Sequence, residues 1–267
     1  MNDFTAVQID DMEAIFGGGF KRARAALGLS SFGMAVIDLP PNFDKVPAHV
    51  HTFDGQEEIY LALAGSGFIE IGGTRVPVDT ETIVRVGPGA VRRPIAGPDG
   101  IRLLSVGGIP GAQYKPFPNS MAGAPEIAVA DLPGVQAAVD AESDNDYVAM
   151  KIAEMDNYKG AFFRVRSSLG ITSFGVAVIN LAPNSEHYPR HNETVSGQEE
   201  AYVVLGGAGE IEVDGEHIPV GVGSALRIGP APMRKVLPGD EGMRFICIGG
   251  TPGQAYEVPD MGAIVRD

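Results

Sequence analysis

Residues 49–60 read His49-Val50-His51-Thr52-Phe53-Asp54-Gly55-Gln56-Glu57-Glu58-Ile59-Tyr60. Two histidines stand one residue apart, a pair of glutamates follows, and an apolar run leads on to Gly65. The stretch returns 142 residues later as His191-Asn192-Glu193-Thr194-Val195-Ser196-Gly197-Gln198-Glu199-Glu200-Ala201-Tyr202. Working outward, Phe20 to Tyr114 lies on Phe162 to Tyr256 without a gap, and 42 of the 95 paired positions are identical. A period of that length is a whole domain, far beyond the repeat of a solenoid. Between the copies, Lys115 to Met150 carries Pro116, Pro118, Pro125 and an Ala/Asp-rich stretch. The chain therefore divides into a first domain over 1–117, a linker over 118–148 and a second domain over 149–267.

Within one copy the pattern is that of short strands. Phe32 to Leu39 is β-branched and aliphatic and stops at Pro40-Pro41. Ile59 to Leu63 is an apolar run that Gly65-Ser66-Gly67 is expected to close. Phe68 to Ile71 faces Val76 to Val78 across Gly72-Gly73, replaced by Asp214-Gly215 in the second copy, and both pairs suit a tight hairpin. Ile83 to Val86 and Ile101 to Val106 each end at glycine. Many close strands with such turns predict an all-β sandwich or barrel. Helix is expected only over Asp10 to Ile15, from Asp131-Leu132-Pro133 through Ala138, and before Tyr158.

The net charge of −14 repels phosphate backbones, so nucleic acid is not an expected partner. No apolar run is long enough to span a bilayer. Met1 to Asp11 lacks the form of a secretion signal, and the lone Cys247 permits no intrachain disulfide. The expectation is a cytoplasmic protein.

Three features together resemble the cupin family: His49-Val50-His51 with Glu58 and Gly65; the Gly72-Gly73 turn; and Gly87-Pro88-Gly89 followed by Arg92. Because both repeats carry them, the resemblance is to the tandem members, the bicupins. It implies two jelly-roll β-barrels with few short helices, whose mouths hold a divalent metal in many members of the family. It also implies a divalent transition metal (Fe, Mn, Ni or Zn) in the first barrel, held by His49, His51 and Glu58. Histidines at i and i+2 on a strand point the same way, and two imidazoles with one carboxylate suit such ions. Oxygenase, isomerase and lyase chemistry are all on the family's menu.

The sequence departs from the family pattern at the third histidine, where Arg92 and Arg234 stand instead. A guanidinium has no lone pair for a metal, and beside a carboxylate it forms a strong pair. Two readings of His49, His51 and Glu58 follow. One is a three-ligand metal site in an enzyme. The other is a metal-free pocket for a small ligand, with a Glu58–Arg92 pair in place of the ion. The second copy offers His191, Glu193, Glu200 and Arg234, with a single imidazole, and one reading makes it purely structural. Glu58 is preferred to Glu57 only by its distance to Gly65.

Other candidates are weaker. Tyr60 and Tyr202 fall on the same strand face as Glu58 and Glu200, to bind a ligand or fill the core. Arg22 and Arg24, echoed by Arg164 and Arg166, favour a carboxylate or phosphate ligand if they converge inside a barrel; otherwise they face solvent on an outer sheet. Gln56, like Gln198, orients a histidine or a ligand amide, or pairs with its own turn. His187 and His217 read as surface residues and Cys247 as a buried, inert thiol. Pairing of two chains into a homodimer is expected from exposed sheet edges.

Overall fold

The computed structural model describes residues 3–117, 120–260 and 265–266. It is an all-β molecule of two cupin-type barrels with few short helices. In the first sheet the order is Ala14–Ile15, Phe20–Lys21, Gly33–Leu39, Arg92–Gly108, Glu57–Ile71, Thr82–Val86 and Tyr147–Lys151, with Thr74–Val78 paired to Glu57–Ile71. The second sheet repeats this with Phe162–Phe163, Gly175–Leu181, Arg234–Gly250, Glu199–Val213 and Ser224–Ile228, and adds Phe4–Gln8 at its edge. All of these pairings are antiparallel.

The halves exchange strands. Phe4–Gln8, at the start of the chain, pairs with Ser224–Ile228 of the second half. Tyr147–Lys151, at the end of the linker, pairs with Thr82–Val86 of the first. Each sheet thus finishes on a strand from outside its own repeat.

Gly65-Ser66-Gly67, expected to end a strand, instead lies inside the 15-residue strand Glu57–Ile71. Register shifts at Ala62/Ala64 and Gly65/Gly67 bend it along Arg92–Gly108. A Cβ at Gly65 would stand 2.2 Å from the Gly100 carbonyl oxygen, and one at Gly67 2.1 Å from that of Ile95. Glycine is required because the bent strands touch backbone to backbone. The Gly72-Gly73 and Asp214-Gly215 turns form as expected, joining Ile71 to Thr74 and Val213 to Glu216.

The helix expected over Asp10 to Ile15 does not form. Ile9–Asp11 is one 3₁₀ turn, and Ala14–Ile15 pairs with Phe20–Lys21 around the left-handed Phe16, Gly17 and Gly18. The piece before Tyr158 is likewise a 3₁₀ turn, Ile152–Glu154. The linker does hold the helix Pro133–Ala138 with proline in its first turn. No helix among the described residues is long and apolar enough to cross a membrane.

Three apolar clusters build the interior. One fills the first barrel around Tyr60, Ile69, Val84 and Leu103. A second fills the other barrel around Tyr202, Ile211, Leu226 and Phe245. The largest lies between the halves, with Leu27, Phe32 and Ile59 against Leu169, Phe174 and Ala201. Strand alternation sorts the residues: Ile59 and Leu61 join the cluster between the halves, Tyr60 and Ala62 the barrel.

Candidate functional site

The same alternation settles which glutamate faces inward. Glu58 enters the first barrel. Glu57, fully buried, points to the other half, where its Oε1 accepts the backbone N–H groups of Thr172 (2.7 Å) and Ser173 (2.9 Å) and its Oε2 the Nε–H of Arg85 (2.8 Å). Its counterpart Glu199 does the same with Ser30 (2.7 Å), Ser31 (2.8 Å) and Arg227 (2.6 Å). These reciprocal clamps explain why both glutamates recur. The sequence showed their recurrence but nothing of the partner strand.

His49 is fixed by its backbone, which exchanges two hydrogen bonds of 2.9 Å with Arg92. His51 donates its N–H to the Pro88 carbonyl at 3.0 Å. With Val50 turned away and fully buried, both imidazoles lean over Glu58. Oε2 of Glu58 lies 3.6 Å from His49 Nε2 and 3.3 Å from His51 Nε2. It accepts the Tyr60 hydroxyl at 2.5 Å and the Arg92 Nε–H at 3.2 Å, and Arg92 Nη2 stands 3.0 Å away. Oε1 accepts the Ser105 hydroxyl at 3.3 Å. Arg92 is wholly buried, and its Nη1 donates to the Ala90 carbonyl at 2.8 Å. The pair expected from the arginine at the third-histidine position is therefore present. Behind the histidines, Asp54 faces His51 Nδ1 at 2.9 Å and takes a short hydrogen bond from the Gln56 amide, 2.5 Å. Gln56 thus steadies His51 through Asp54, a residue the sequence reading had not singled out.

The charges follow from this packing. Burial disfavours an imidazolium and holds His49 below its ordinary pKa. Burial acts the same way on His51, but the Glu58 charge and the contact with Asp54 outweigh it and raise that pKa. Burial favours neutral Glu58, yet His51 and Arg92 keep its carboxyl well below the usual range.

The second barrel brings together the equivalent set. Glu200 Oε2 accepts Tyr202 Oη–H at 2.6 Å and Arg234 Nε–H at 3.1 Å, and lies 3.7 Å from His191 Nε2. Glu193 Oε1 is 3.8 Å from that nitrogen. Burial, joined by the Glu200 charge, pushes the Glu193 carboxyl up. Cys247 contacts Glu200 Oε1 at 3.4 Å, and burial lifts its thiol well above the ordinary value. Val46 and Leu103 of the first copy are replaced here by Tyr188 and Phe245. Tyr188 packs on His191 at 5.7 Å and on Phe245 at 5.9 Å between ring centroids. Two larger rings fill space that the first barrel leaves open.

That open space is a cavity of about 960 Å³, reaching from His49, His51 and Glu58 past apolar walls to Arg22, Arg24 and Tyr114. Arg22 and Arg24 flank the start of the short helix Ala23–Leu27 and are 2% and 7% exposed, so the solvent-facing alternative is corrected. They are buried because the linker lies over them. Arg22 donates to the Ala124 carbonyl and Arg24 to that of Ser120. Gly134 of the linker helix accepts the Val50 N–H at 3.0 Å beside His49. Among the outer residues, His217 pairs with Glu210 at 2.7 Å, and Arg244 with Glu81 of the other half.

In each barrel three donor groups, His49/His51/Glu58 and His191/Glu193/Glu200, offer atoms within 4.8 Å of one another. In kind and spacing they suit a divalent metal. The guanidinium does not. A dication beside Glu58 Oε2, about 4 Å from the Arg92 charge, meets a repulsion of about 8 kcal/mol at an effective dielectric of about 20. That offsets half or more of the ~10–16 kcal/mol that a structural zinc site supplies. Arg92 and Tyr60 also occupy the oxygen such an ion needs. The Glu58–Arg92 pair thus weakens the first barrel as a metal site while leaving its three donor groups together.

No family model matches the sequence, and no curated protein matches it. Solved structures do. The protein YlbA from E. coli superposes with a TM-score of 0.66 at 14% identity, over 97% of this chain and 94% of that one. A mutant of Bacillus subtilis oxalate decarboxylase gives 0.65 at 14% identity, over 94% and 78%. Oxalate decarboxylase of Lactobacillus farciminis, in a formate complex, gives 0.64 at 12%, over 94% and 87%. The Bacillus enzyme has Mn(II) centres. At these identities the likeness is one of fold, and the fold is that of the cupins.

Proposed function

We propose that the first barrel is a small-molecule site that works without a resident metal, in which His49 and His51 exchange protons with a bound ligand. The observation that carries this is the position of Arg92: wholly buried, at the place of the expected third histidine, and engaged with Glu58 through Nε and Nη2. The two imidazoles are held apart in charge. His49 is the proton acceptor and His51 the donor, with ionised Glu58 between them. Environments that push two titrating groups apart are the usual arrangement for paired acid and base catalysis. Such a pair suits the transfer of a proton between two atoms of one ligand, an isomerisation. The second barrel, filled by Tyr188 and Phe245, supports the first as a packed cover.

The test is a proton NMR titration of the histidine ring signals, assigned with His49→Gln and His51→Gln. The expected result is one transition on each side of about pH 6.5, unchanged by one equivalent of Zn²⁺. Loss of both transitions on adding Zn²⁺ would reject the reading. It would favour the second one, a metal held by His49, His51 and Glu58. One observation does favour that alternative: Asp54 orients His51 from behind, as carboxylates do for metal-bound histidines.

A further inference from the structure

Four arginines of the described residues are buried: Arg22, Arg24, Arg92 and Arg234. Three have a carboxylate. Arg22 meets Glu13 at 2.7 Å, and Arg92 and Arg234 meet Glu58 and Glu200 at 3.0 Å. Arg24 alone has only neutral partners. Its Nη1 donates to the Leu29 carbonyl at 2.9 Å and its Nη2 to the Ser120 carbonyl at 3.1 Å and to Met121 Sδ at 3.0 Å, while its Nε has no hydrogen-bond partner among the described residues. A buried cation without a counter-charge is unfavourable, and this one lines the cavity.

The contrast with the second copy narrows its role. Arg166 also donates to the carbonyl five residues on, Ile171, so that contact belongs to the fold of both turns. Arg166, however, is only half-buried, within reach of water. Arg24 is sealed under the linker, facing the cavity. Three of the four cavity-lining acids are engaged: Glu58 by Arg92, Asp54 by His51 and Gln56, Asp38 by Arg102. The cavity walls include the apolar Met34, Ile37, Phe20, Phe53 and Phe117.

We propose that the first barrel takes an amphipathic organic acid, its carboxylate set on Arg24 beside Tyr114 and its apolar body along the phenylalanines toward His49 and His51. This rests on the reading of that barrel as a small-molecule site. A guanidinium gives a carboxylate a planar, charge-assisted partner, and the ligand supplies the charge that the chain withholds. The enclosed apolar walls match the usual character of small-molecule pockets, where a few polar groups fix orientation.

Calorimetric titration of the full chain with 3-phenylpropionate and octanoate, and with the neutral amide of each, tests it. The expected result is that at least one acid binds about tenfold or more tighter than its amide, as one charged hydrogen-bond pair provides. Arg24→Gln removes that preference. Arg24→Lys, which keeps the charge, restores part of it and guards against a variant that merely fails to fold. Equal binding of acid and amide by the wild type, or an acid preference that survives in Arg24→Gln, overturns the assignment to Arg24 and leaves the small-molecule reading standing. A cavity that takes none of the four probes counts against both.

Discussion

Arg92 and Arg234 pair with the inward glutamates of the two barrels, and both were visible in the sequence as departures at one position. A guanidinium placed inward beside a glutamate has one outcome, and the ion pairs of Glu58 and Glu200 are that outcome. The strength of the second pair is readable from acid denaturation. Burial works against charge on Glu200, but His191 and Arg234 lower its carboxyl from 4.5 to about 2. A depressed folded pKa stabilises the protein above the unfolded value and loses that contribution as pH falls through the folded one. Wild type is therefore expected to be more stable than Glu200→Gln at pH 7 by roughly 3 kcal/mol. The gap closes between about pH 4.5 and about pH 2, in urea unfolding followed by circular dichroism. A gap that stays constant down to pH 2.5 contradicts the assignment. Less legible was the difference between Glu57 and Glu58. Neighbours on a strand face opposite ways, and only the position of the other half tells which way is inward. The plugging of the second barrel was legible in principle, since Tyr188 and Phe245 stand where the first copy has Val46 and Leu103.

At the scale of elements, the strand pattern read from apolar runs and turns was sound for Gly33–Leu39, Thr82–Val86 and the hairpin at Gly72-Gly73. It failed at Gly65-Ser66-Gly67 because a glycine pair that ends a strand and one that bends it look alike in sequence. The close approach of Gly65 to Gly100 is a long-range contact with no local sign. Gly65→Ala is expected to cost about 2–3 kcal/mol. Its Cβ would meet the Gly100 oxygen at 2.2 Å, with φ at +71°. Chemical denaturation measures this, and a cost under about 0.5 kcal/mol would mean the bend does not depend on the contact. The linker helix Pro133–Ala138 was readable from its proline. Its resting place beside Val50 and His49, like the cover that Ser120 and Ala124 lay over Arg24 and Arg22, was not, because nothing in residues 118–148 names the surface they cover.

Taken whole, the molecule is a duplicated unit whose halves share strands and a core. The repeat made the duplication plain. The exchange of Phe4–Gln8 and Tyr147–Lys151 between sheets stayed hidden, since strand partners far apart in sequence leave no periodic mark. With the Glu57 and Glu199 clamps and the shared apolar cluster, neither half completes its sheet or covers its core alone. Scanning calorimetry is expected to give a single transition with calorimetric and van't Hoff enthalpies in agreement. Two resolved transitions would show that the halves melt independently.

The central claim is that a buried arginine takes the place of a metal in the first barrel. Elemental analysis of protein purified without chelators, wild type beside Arg92→His, addresses it directly. Wild type is expected to carry well under one transition-metal ion per chain, and Arg92→His, with a third imidazole and no guanidinium, to gain about one. A full equivalent in wild type that disappears in His49→Ala would contradict it.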